Sequence, residues 1–550
     1  MAGSAAVMSL YAVGKQDTYF DGKDSFFEFN QLRHSNFTKF QRSTKILKPS
    51  TTTSTQWPFN ETIQVIFNPQ QMGDLLCNMY LKCTLPANND NNGQYKFSYA
   101  ADIGKAIIKT IEFRVDEFEL ETLYTDWAVI YDELYMSEEE KDAVKFLDNN
   151  GKPSGTMAGT SDNASNRGIN LYIPLHFFFG RRHSTQDFDN KLLNDKYFKP
   201  YFPLCAIHKQ KIFLNITFND KTFFTNSQPE VVMELPQFEI VTEEITVTPL
   251  ERSYIINNKQ TITTELMRRQ SPIDIDSFFV EAKNNLVPKI PVKTLHWFFR
   301  RDEFETRPNE IANRFNYGNY YSGPTTTSNI YVQAENPIMS DAQLFINGTQ
   351  NLGFMEAKER NLSSTANYFK HQVPFKIGLS APLRNIYTYS FSLKPKDPLP
   401  TGALDFSQLN SDKTFLLASL LETGKDSTVT TAQTQNDVTA TLTATISTKQ
   451  SGTTLSVTAV ANCLSTIIVY QNNNEIISTL NPVLTITQSV STSKINNTFY
   501  MTASNVANGR STTAEISLIK PPLVYKYHLY YTGYQTLEFE NGFLRPMFST

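Results

Sequence analysis

Cysteine and histidine are the first places to look for reactive or metal-binding chemistry, and this chain of 550 residues holds 4 Cys and 7 His. Cys205 and His208 are close enough in sequence to share a metal ion. A tetrahedral site needs further ligands, and none stands at a matching spacing. A packed cysteine beside a surface or hydrogen-bonded histidine is the plainer reading. Cys77, Cys83 and Cys463 form no CxxC pair and read as small core residues, which suits a reducing compartment. Arg181, Arg182 and His183 form a short basic cluster, expected to pair with Asp187 and Asp189 or, alternatively, to meet a partner or an anionic molecule. Glu138–Glu140 follow Ser137, which reads as the N-cap and first turn of a helix rather than as catalytic carboxylates. The sequence holds no GxGxxG, GxxxxGK[ST], HExxH or GxSxG. We therefore assign no catalytic, cofactor-binding or metal-binding residue and expect no enzyme.

Charge narrows the partners. The formal net charge is -4, so a polyanion-binding field over the whole protein is not expected, nor is sequence-specific recognition of nucleic acid. A local basic patch stays open. No window is apolar enough to span a bilayer. MAGSAAVMSLYAVGK has no basic residue before its apolar part, so it reads as an uncleaved arm rather than a signal peptide.

The elements that would position any site are strands. The chain carries 40 Phe and 26 Tyr, which pack well across sheets. Residues 1–60 read as an irregular arm. Ile63–Phe67 begins a strand pattern, and Ile111, Phe113 and Val115 alternate with polar neighbours. The phase slips at Asp116–Glu117, which predicts a tight turn or bulge. Trp127–Tyr135 with SEEEKDAVKFL is the one good helical stretch. Residues 148–168 form a long polar loop. LYIPLHFFFG, Ile212–Phe218 and Phe238–Thr248 read as strands.

The pattern then restarts with TLHWFFRR (Thr294–Arg301) and a hairpin turn at Asn347–Gly348. Pro382–Leu409 reads as strand (Ile386–Leu393), proline-stiffened turn, and second strand (Ala403–Leu409). Two all-β units in tandem are expected, over 61–240 and over 241–423 with 517–550. Residues 424–516 differ in kind. Val438, Ala440, Leu442, Ala444 and Ile446 alternate with Thr and Ser, and about seven short strands suit a small inserted immunoglobulin-like sandwich.

Several of these segments resemble one family in order along the chain. They are YAVGKQDTYF…SFFEFNQLRHSNFTKF (Tyr11–Phe40), IEFRVDEFELET (Ile111–Thr122), IPLHFFFG…PLCAIHKQKIFLNITF (Ile173–Phe218) and NIYTYSFSLKPKDPLPTGALDFSQL (Asn385–Leu409). The chain resembles the double jelly-roll major capsid proteins of nucleocytoplasmic large DNA viruses. His176 departs from the family pattern, and 424–516 lies outside it. The resemblance implies two eight-stranded jelly rolls and a homotrimer forming a pseudo-hexagonal capsomer. It also implies an icosahedral shell around double-stranded DNA, assembled in the host cytoplasm. Neighbouring capsomers, minor capsid proteins and penton proteins are the implied partners.

Taking Ala403–Leu409 as the penultimate strand, the insert is expected to share an end with the fourth-to-fifth and sixth-to-seventh connections. Long loops of that end face outwards in the family, so the insert is expected to project and to be available to a host receptor or glycan. A carbohydrate-binding or adhesin-like β protein is the alternative reading. A glycosidase on a β-sandwich would need two carboxylates facing across a cleft, and the sequence offers no preferred pair.

Overall fold

The computed structural model describes residues 40–49, 62–68, 71–85, 97–149, 151, 169–181, 201–226, 238–276, 281–319, 330–352, 369–370, 382–395, 400–420, 427–435, 438–449, 452–471, 474–480, 483–490, 497–508, 510–518 and 524–547.

Alternating sequences become strands in chain order. The first unit contains β1 (Phe40–Leu47), β2 (Thr62–Phe67), β3 (Leu75–Leu85), β4 (Ile108–Val115), β5 (Phe118–Tyr124), β6 (Ile169–Pro174), the two-residue β7 (Phe202–Pro203), β8 (Ile212–Phe218) and β9 (Phe238–Val247). The second begins with β10 (Gln260–Asp276), β11 (Glu281–Asn285), β12 (Val292–Arg301), β13 (Met339–Ile346), β14 (Thr349–Leu352), β15 (Tyr387–Ser390) and β16 (Phe415–Leu420). The insert supplies β17 (Ser427–Gln435), β18 (Val438–Lys449), β19 (Gly452–Ala461), β20 (Ser465–Gln471), β21 (Asn474–Thr479), β22 (Val483–Val490), β23 (Asn497–Asn505) and β24 (Ser511–Leu518). β25 (Val524–Glu540) and β26 (Phe543–Pro546) complete the second unit.

The first unit pairs as β1-β9-β3-β6 and β2-β8-β4-β5, the second as β10-β25-β12-β15 and β11-β16-β13-β14. With β7 and β26 set aside as additions off the main order, eight strands remain in each, and both units read first-eighth-third-sixth over second-seventh-fourth-fifth. The two sandwiches thus share one topology, with two four-stranded Greek-key layers folded onto each other as in a jelly roll. Their pairings are antiparallel, so successive strands run alternately up and down. The connections first-to-second, third-to-fourth, fifth-to-sixth and seventh-to-eighth therefore gather at one end, called upper here; the rest gather at the lower end. Backbone bonds agree. At the lower end Gly348 N–H donates to the Lys413 carbonyl and Asp116 N–H to that of Lys211. At the upper end Asn219 N–H donates to Ile107 and Ala100 N–H to Phe224.

The predicted turns form. Asp116 (φ 48), Asn347 (φ 51) and Gly348 (φ 81) take left-handed backbone. Ser137 closes a capping box with Glu140 ahead of the helix Glu138–Asp148. The predicted helical stretch is two helices, Thr125–Tyr135 and Glu138–Asp148.

Several expectations are corrected. The arm expected up to residue 60 already contains β1, whose half-exposed faces give no clean apolar period. After β9 the chain forms a helix that the sequence expectations leave unassigned, Pro249–Asn257, started by Thr248 accepting from Glu251 N–H with Pro249 in the first turn. The 17-residue β10 went unread because its apolar residues break phase at a register shift between Gln270 and Ile273. Ala403–Leu409 is not a strand. Leu404 makes a single bridge to Val292, and Asp405 caps a 3-10 turn at Phe406–Gln408. The seventh strand is β16 instead. The proline stretch thus lies in the sixth-to-seventh connection at the lower end, while the insert leaves from the upper end, with the first-to-second, third-to-fourth and fifth-to-sixth connections.

The insert has eight strands rather than about seven, in sheets β17-β18-β19-β22 and β21-β20-β23-β24. Its core is built from the alternating small residues, including Val438, Ala440, Leu442, Val457 and Ala459, meeting Ile467, Val469 and Met501.

Candidate functional site: the seam between the two sandwiches

β12 is buried along its whole length, because both faces of VKTLHWFFRR have something to cover. Leu295, Trp297 and Phe299 enter the core of the second sandwich, whereas Phe298 joins the core of the first. β25 does the same, with Tyr525, Tyr527 and Leu529 facing inward and Tyr530, Leu537 and Phe539 facing the first sandwich. The outer face of the β10-β25-β12-β15 sheet is thus a second apolar interface. Against it sit the helix Thr125–Tyr135 and the turn after β6.

Period-two alternation also places charged residues in this interface. Arg300 points the same way as Phe298, into the seam. Its Nη1 and Nη2 donate to the two Asp126 carboxylate oxygens at 2.5 and 3.1 Å, a bidentate pair across the two units. Its Nε and Nη2 also reach Glu305 Oε1, at 2.9 and 2.6 Å. Tyr317 hydroxyl donates to Asp126 at 2.9 Å, and His528 Nε2 lies 2.8 Å from Glu305. Burial would pull the Arg300 charge down, but Asp126 and Glu305 outweigh it and hold the guanidinium well above its ordinary range. Burial would likewise raise Glu305; Arg300 and His528 overcome that and hold its carboxyl well below the usual range. Burial pushes His528 down despite Glu305, so we read it as a neutral ring donating Nε2–H to that carboxylate.

Three further knots extend the seam. Arg384 donates to Asp102 at 2.7 Å and lies 3.3 Å from Glu133. Arg314 donates to the Phe223 and Thr222 carbonyls of the first unit, at 2.6 and 2.7 Å, and to Arg307 and Phe304 of its own. Glu121, buried in the first unit, accepts from Arg181 and from the backbone N–H groups of Phe178 and Met267 at 2.8 and 2.7 Å. Arg181 in turn donates to the Glu265 carbonyl of β10 at 3.0 Å. Nearby, His296 Nε2 lies 3.1 Å from Tyr135 hydroxyl, and burial pushes this histidine down to about 3.

At the lower end the turn Asn541–Gly542 docks on the first unit. Lys209 N–H donates to the Gly542 carbonyl, and Leu544 N–H to Gln210 at 2.6 Å.

These carboxylates serve cations and backbone amides, and the arrangement fixes the two sandwiches side by side with the same ends up. The comparisons with known proteins bear on why. Residues 25–239 match the family model for the major capsid protein N-terminus, and residues 243–478 match that for the large eukaryotic DNA virus major capsid protein. The chain belongs to the major capsid proteins of large eukaryotic DNA viruses.

A major capsid protein of Pyramimonas orientalis virus is 26% identical over 216 residues, covering 39% of this chain and 46% of that protein. One from Phaeocystis pouchetii virus is 21% identical over 513 residues, covering 76% of this chain and 93% of that protein. Capsid protein 1 of Acanthamoeba polyphaga mimivirus is 27% identical over 193 residues, covering 33% of this chain and 31% of that protein. The chain therefore spans less than half the length of the first curated relatives that it matches. The fold is that of the PBCV-1 capsid, with a TM-score of 0.58 at 14% identity over 96% of this chain and 100% of that one. The crystal structure of PBCV-1 VP54 fitted into the virophage Sputnik gives the same TM-score, 0.58, at 15% identity over the same shares of the two chains. The proteins of this family are structural, not enzymes.

Within the capsid fold the residues singled out for chemistry have other work. Cys205 is buried, its N–H donating to the Asp74 carbonyl, and burial pushes its thiol up to about 12. Cys83 is likewise pushed up to about 12 by burial. His208 packs beneath Gly542 rather than beside a metal; among the described residues no group of three or more His, Cys, Asp or Glu could hold one. Arg181 pairs with Glu121, its turn pointing it into the seam. Arg182, His183, Asp187 and Asp189 lie outside the described residues. His176 stacks on Tyr131 at 4.4 Å between centroids. Sequence reasoning missed Arg300, Asp126 and Arg384. The usable signal was charge in segments apolar on both faces, such as TLHWFFRR.

Proposed function

We propose that this chain is the shell-building subunit of an icosahedral double-stranded DNA virus, three copies forming a pseudo-hexagonal capsomer. The observation that carries the reading is the seam. Two sandwiches of one topology, locked in parallel by buried charge, give a trimer six similar upright lobes, which suits hexagonal packing. Capsomers then meet neighbouring capsomers, minor capsid proteins and penton proteins, with assembly in the host cytoplasm and a final place in the virion.

The inserted domain is an immunoglobulin-like sandwich that projects outwards. The expected ground, a shared end with the fourth-to-fifth and sixth-to-seventh connections, does not hold. The support is instead that the insert leaves β16 and returns to β25 at the upper end, where the long fifth-to-sixth connections (125–168 and 353–386) also gather. Its far tip exposes Leu464, Leu480, Val483 and Val506, a surface suited to a host receptor or glycan. That tip also favours the second reading, an adhesin-like β protein.

Light scattering on purified full-length protein tests the first reading. A stable trimer forming hexagonal arrays by electron microscopy supports it; a monomer under assembly conditions refutes it. Electron cryo-microscopy of the particle tests the insert's direction, and inward-facing density would overturn it.

A further inference from the structure

Exposed apolar side chains concentrate at the lower end of both sandwiches. Phe118 opens β5 there, Leu250 lies on the helix after β9, and Val287 is in the β11–β12 connection. Leu393 follows β15, and Phe543 and Met547 lie beyond the β25 turn. Leu393 is 81% exposed, Leu250 73%, Met547 58% and Val287 54%. The same surface exposes Lys209, Lys211, Arg252, Lys289, Lys394 and Arg545. Among the described residues Glu117, Asp405, Asp412 and Glu540 are the acidic residues exposed with them, so basic groups prevail there in a chain whose net charge is -4. The upper end differs in charge: its helix exposes Phe146 and Leu147 too, but beside Glu138, Glu139 and Asp142.

The lower face is one continuous surface, because Gly542 of the second unit sits on His208 and Lys209 of the first. Lys209 Nζ lies 5.3 Å from the Phe543 ring centre, so cation and apolar group stand side by side. The apolar residues come from separate loops spread across both units. That spacing forms no single groove for a peptide. Aliphatic and aromatic tips set among lysines and arginines are the chemistry of a protein that lies on an anionic bilayer. A face for nucleic acid would use the cations without needing exposed leucine, valine and methionine.

We propose that the lower face binds an anionic lipid surface, its loop tips entering the headgroup layer. This goes beyond the shell reading and does not depend on it.

The test is co-sedimentation of the full-length protein with vesicles of phosphatidylcholine, with and without phosphatidylserine. Binding is expected to rise at least about tenfold with phosphatidylserine and to fall as salt is raised. Lys289→Glu with Lys394→Glu should cut binding by at least about twentyfold, since each cation near such a surface is worth about fivefold. Leu393→Asp should weaken binding severalfold at unchanged thermal stability, while Lys145→Glu at the upper end leaves it unchanged. Binding indifferent to phosphatidylserine, or unmoved by the lower-face variants, overturns the proposal. So does displacement of vesicles by a short DNA duplex with Leu393→Asp behaving as wild type, which assigns the face to nucleic acid. A change of oligomeric state in Leu393→Asp without lipid binding assigns it to contacts between copies and also overturns the proposal.

Discussion

Replacing Arg300 with Met keeps most of the side-chain volume and removes the charge that two buried carboxylates share. In the wild type Arg300 donates to both oxygens of Asp126, to Glu305, and to the Arg314 carbonyl at 3.0 Å. The variant leaves Asp126 with the Tyr317 hydroxyl, and Glu305 with His528 and the more distant Lys526 ammonium at 3.8 Å. Removing one partner of a buried ion pair costs about 3–5 kcal/mol. For units of this size that is a fall of roughly 6–20 °C in the unfolding midpoint. The pH dependence is the sharper test. Wild-type Glu305 is held below its ordinary range, so its contribution is present above about pH 4.3 and is lost only as pH falls through its folded value. Without Arg300, burial raises the Glu305 carboxyl, and the penalty grows as pH rises past its ordinary value. The gap between variant and wild type should therefore be widest near pH 7 and shrink towards pH 4. Adding Asp126→Asn to Arg300→Met should recover part of the loss, a coupling read from a double-mutant cycle. Differential scanning fluorimetry from pH 4 to 8 measures all of this. A loss under about 1 kcal/mol, or a gap that ignores pH, would refute the view that this charge locks the seam.

Other predictions follow from particular residues. His296 is buried and held down to about 3, so the unfolded chain takes up its proton first as pH falls below about 6.5. By pH 4.5 this one group should destabilise the fold by about 3 kcal/mol, and His296→Gln should flatten the acid limb of the midpoint-versus-pH curve. Gly542 has φ +87, and a Cβ there would lie 2.6 Å from the His208 ring. Gly542→Val should detach the β25–β26 hairpin, seen as faster amide exchange at Leu544 with little change in the insert. Ser137→Ala removes the capping box and should cost about 1 kcal/mol, read as faster exchange at the start of Glu138–Asp148. Deleting residues 427–518 with a short Gly/Ser bridge should leave both sandwiches folded and the proposed trimer intact; a monomer in light scattering would show that the insert takes part in assembly.

Much of the strand content was legible because its physics is local. Ile111, Phe113 and Val115 alternate, Asn347–Gly348 takes the left-handed turn, and Ser137 caps its helix. The insert was legible for the same reason, its Val and Ala rows alternating with Thr. What the sequence hid depends on partners far away in the chain. β1 looks irregular because its register partner is β9. β10 looks irregular because its partner is β25, and the phase slip at Gln270 makes sense only against Leu529 and Tyr527. The seam was least legible of all. Nothing local in TLHWFFRR says that Arg300 meets Asp126, and nothing local around Arg181 says that it meets Glu121 on β5. Ala403–Leu409 failed for a different reason: its short alternation is real, but Asp405 offers the backbone a competing turn.

The position of the insert has a consequence for how the protein is made. β25 is central in its sheet, bonded to β10, β12 and β26, yet it is translated after all eight strands of the insert. At roughly 5–20 residues per second, a ribosome needs several seconds to cross the insert. During that interval the first sandwich can close, and the insert can fold on the local pairings of its own hairpins. β10 and β12 must meanwhile wait with their inner edges unpaired, open to wrong partners on neighbouring nascent chains. A chain that ends early lacks β25, and with it both the closed second sandwich and the half of the seam built on His528 and Tyr530. The fold therefore admits only finished chains to assembly, at the cost of a vulnerable pause late in synthesis.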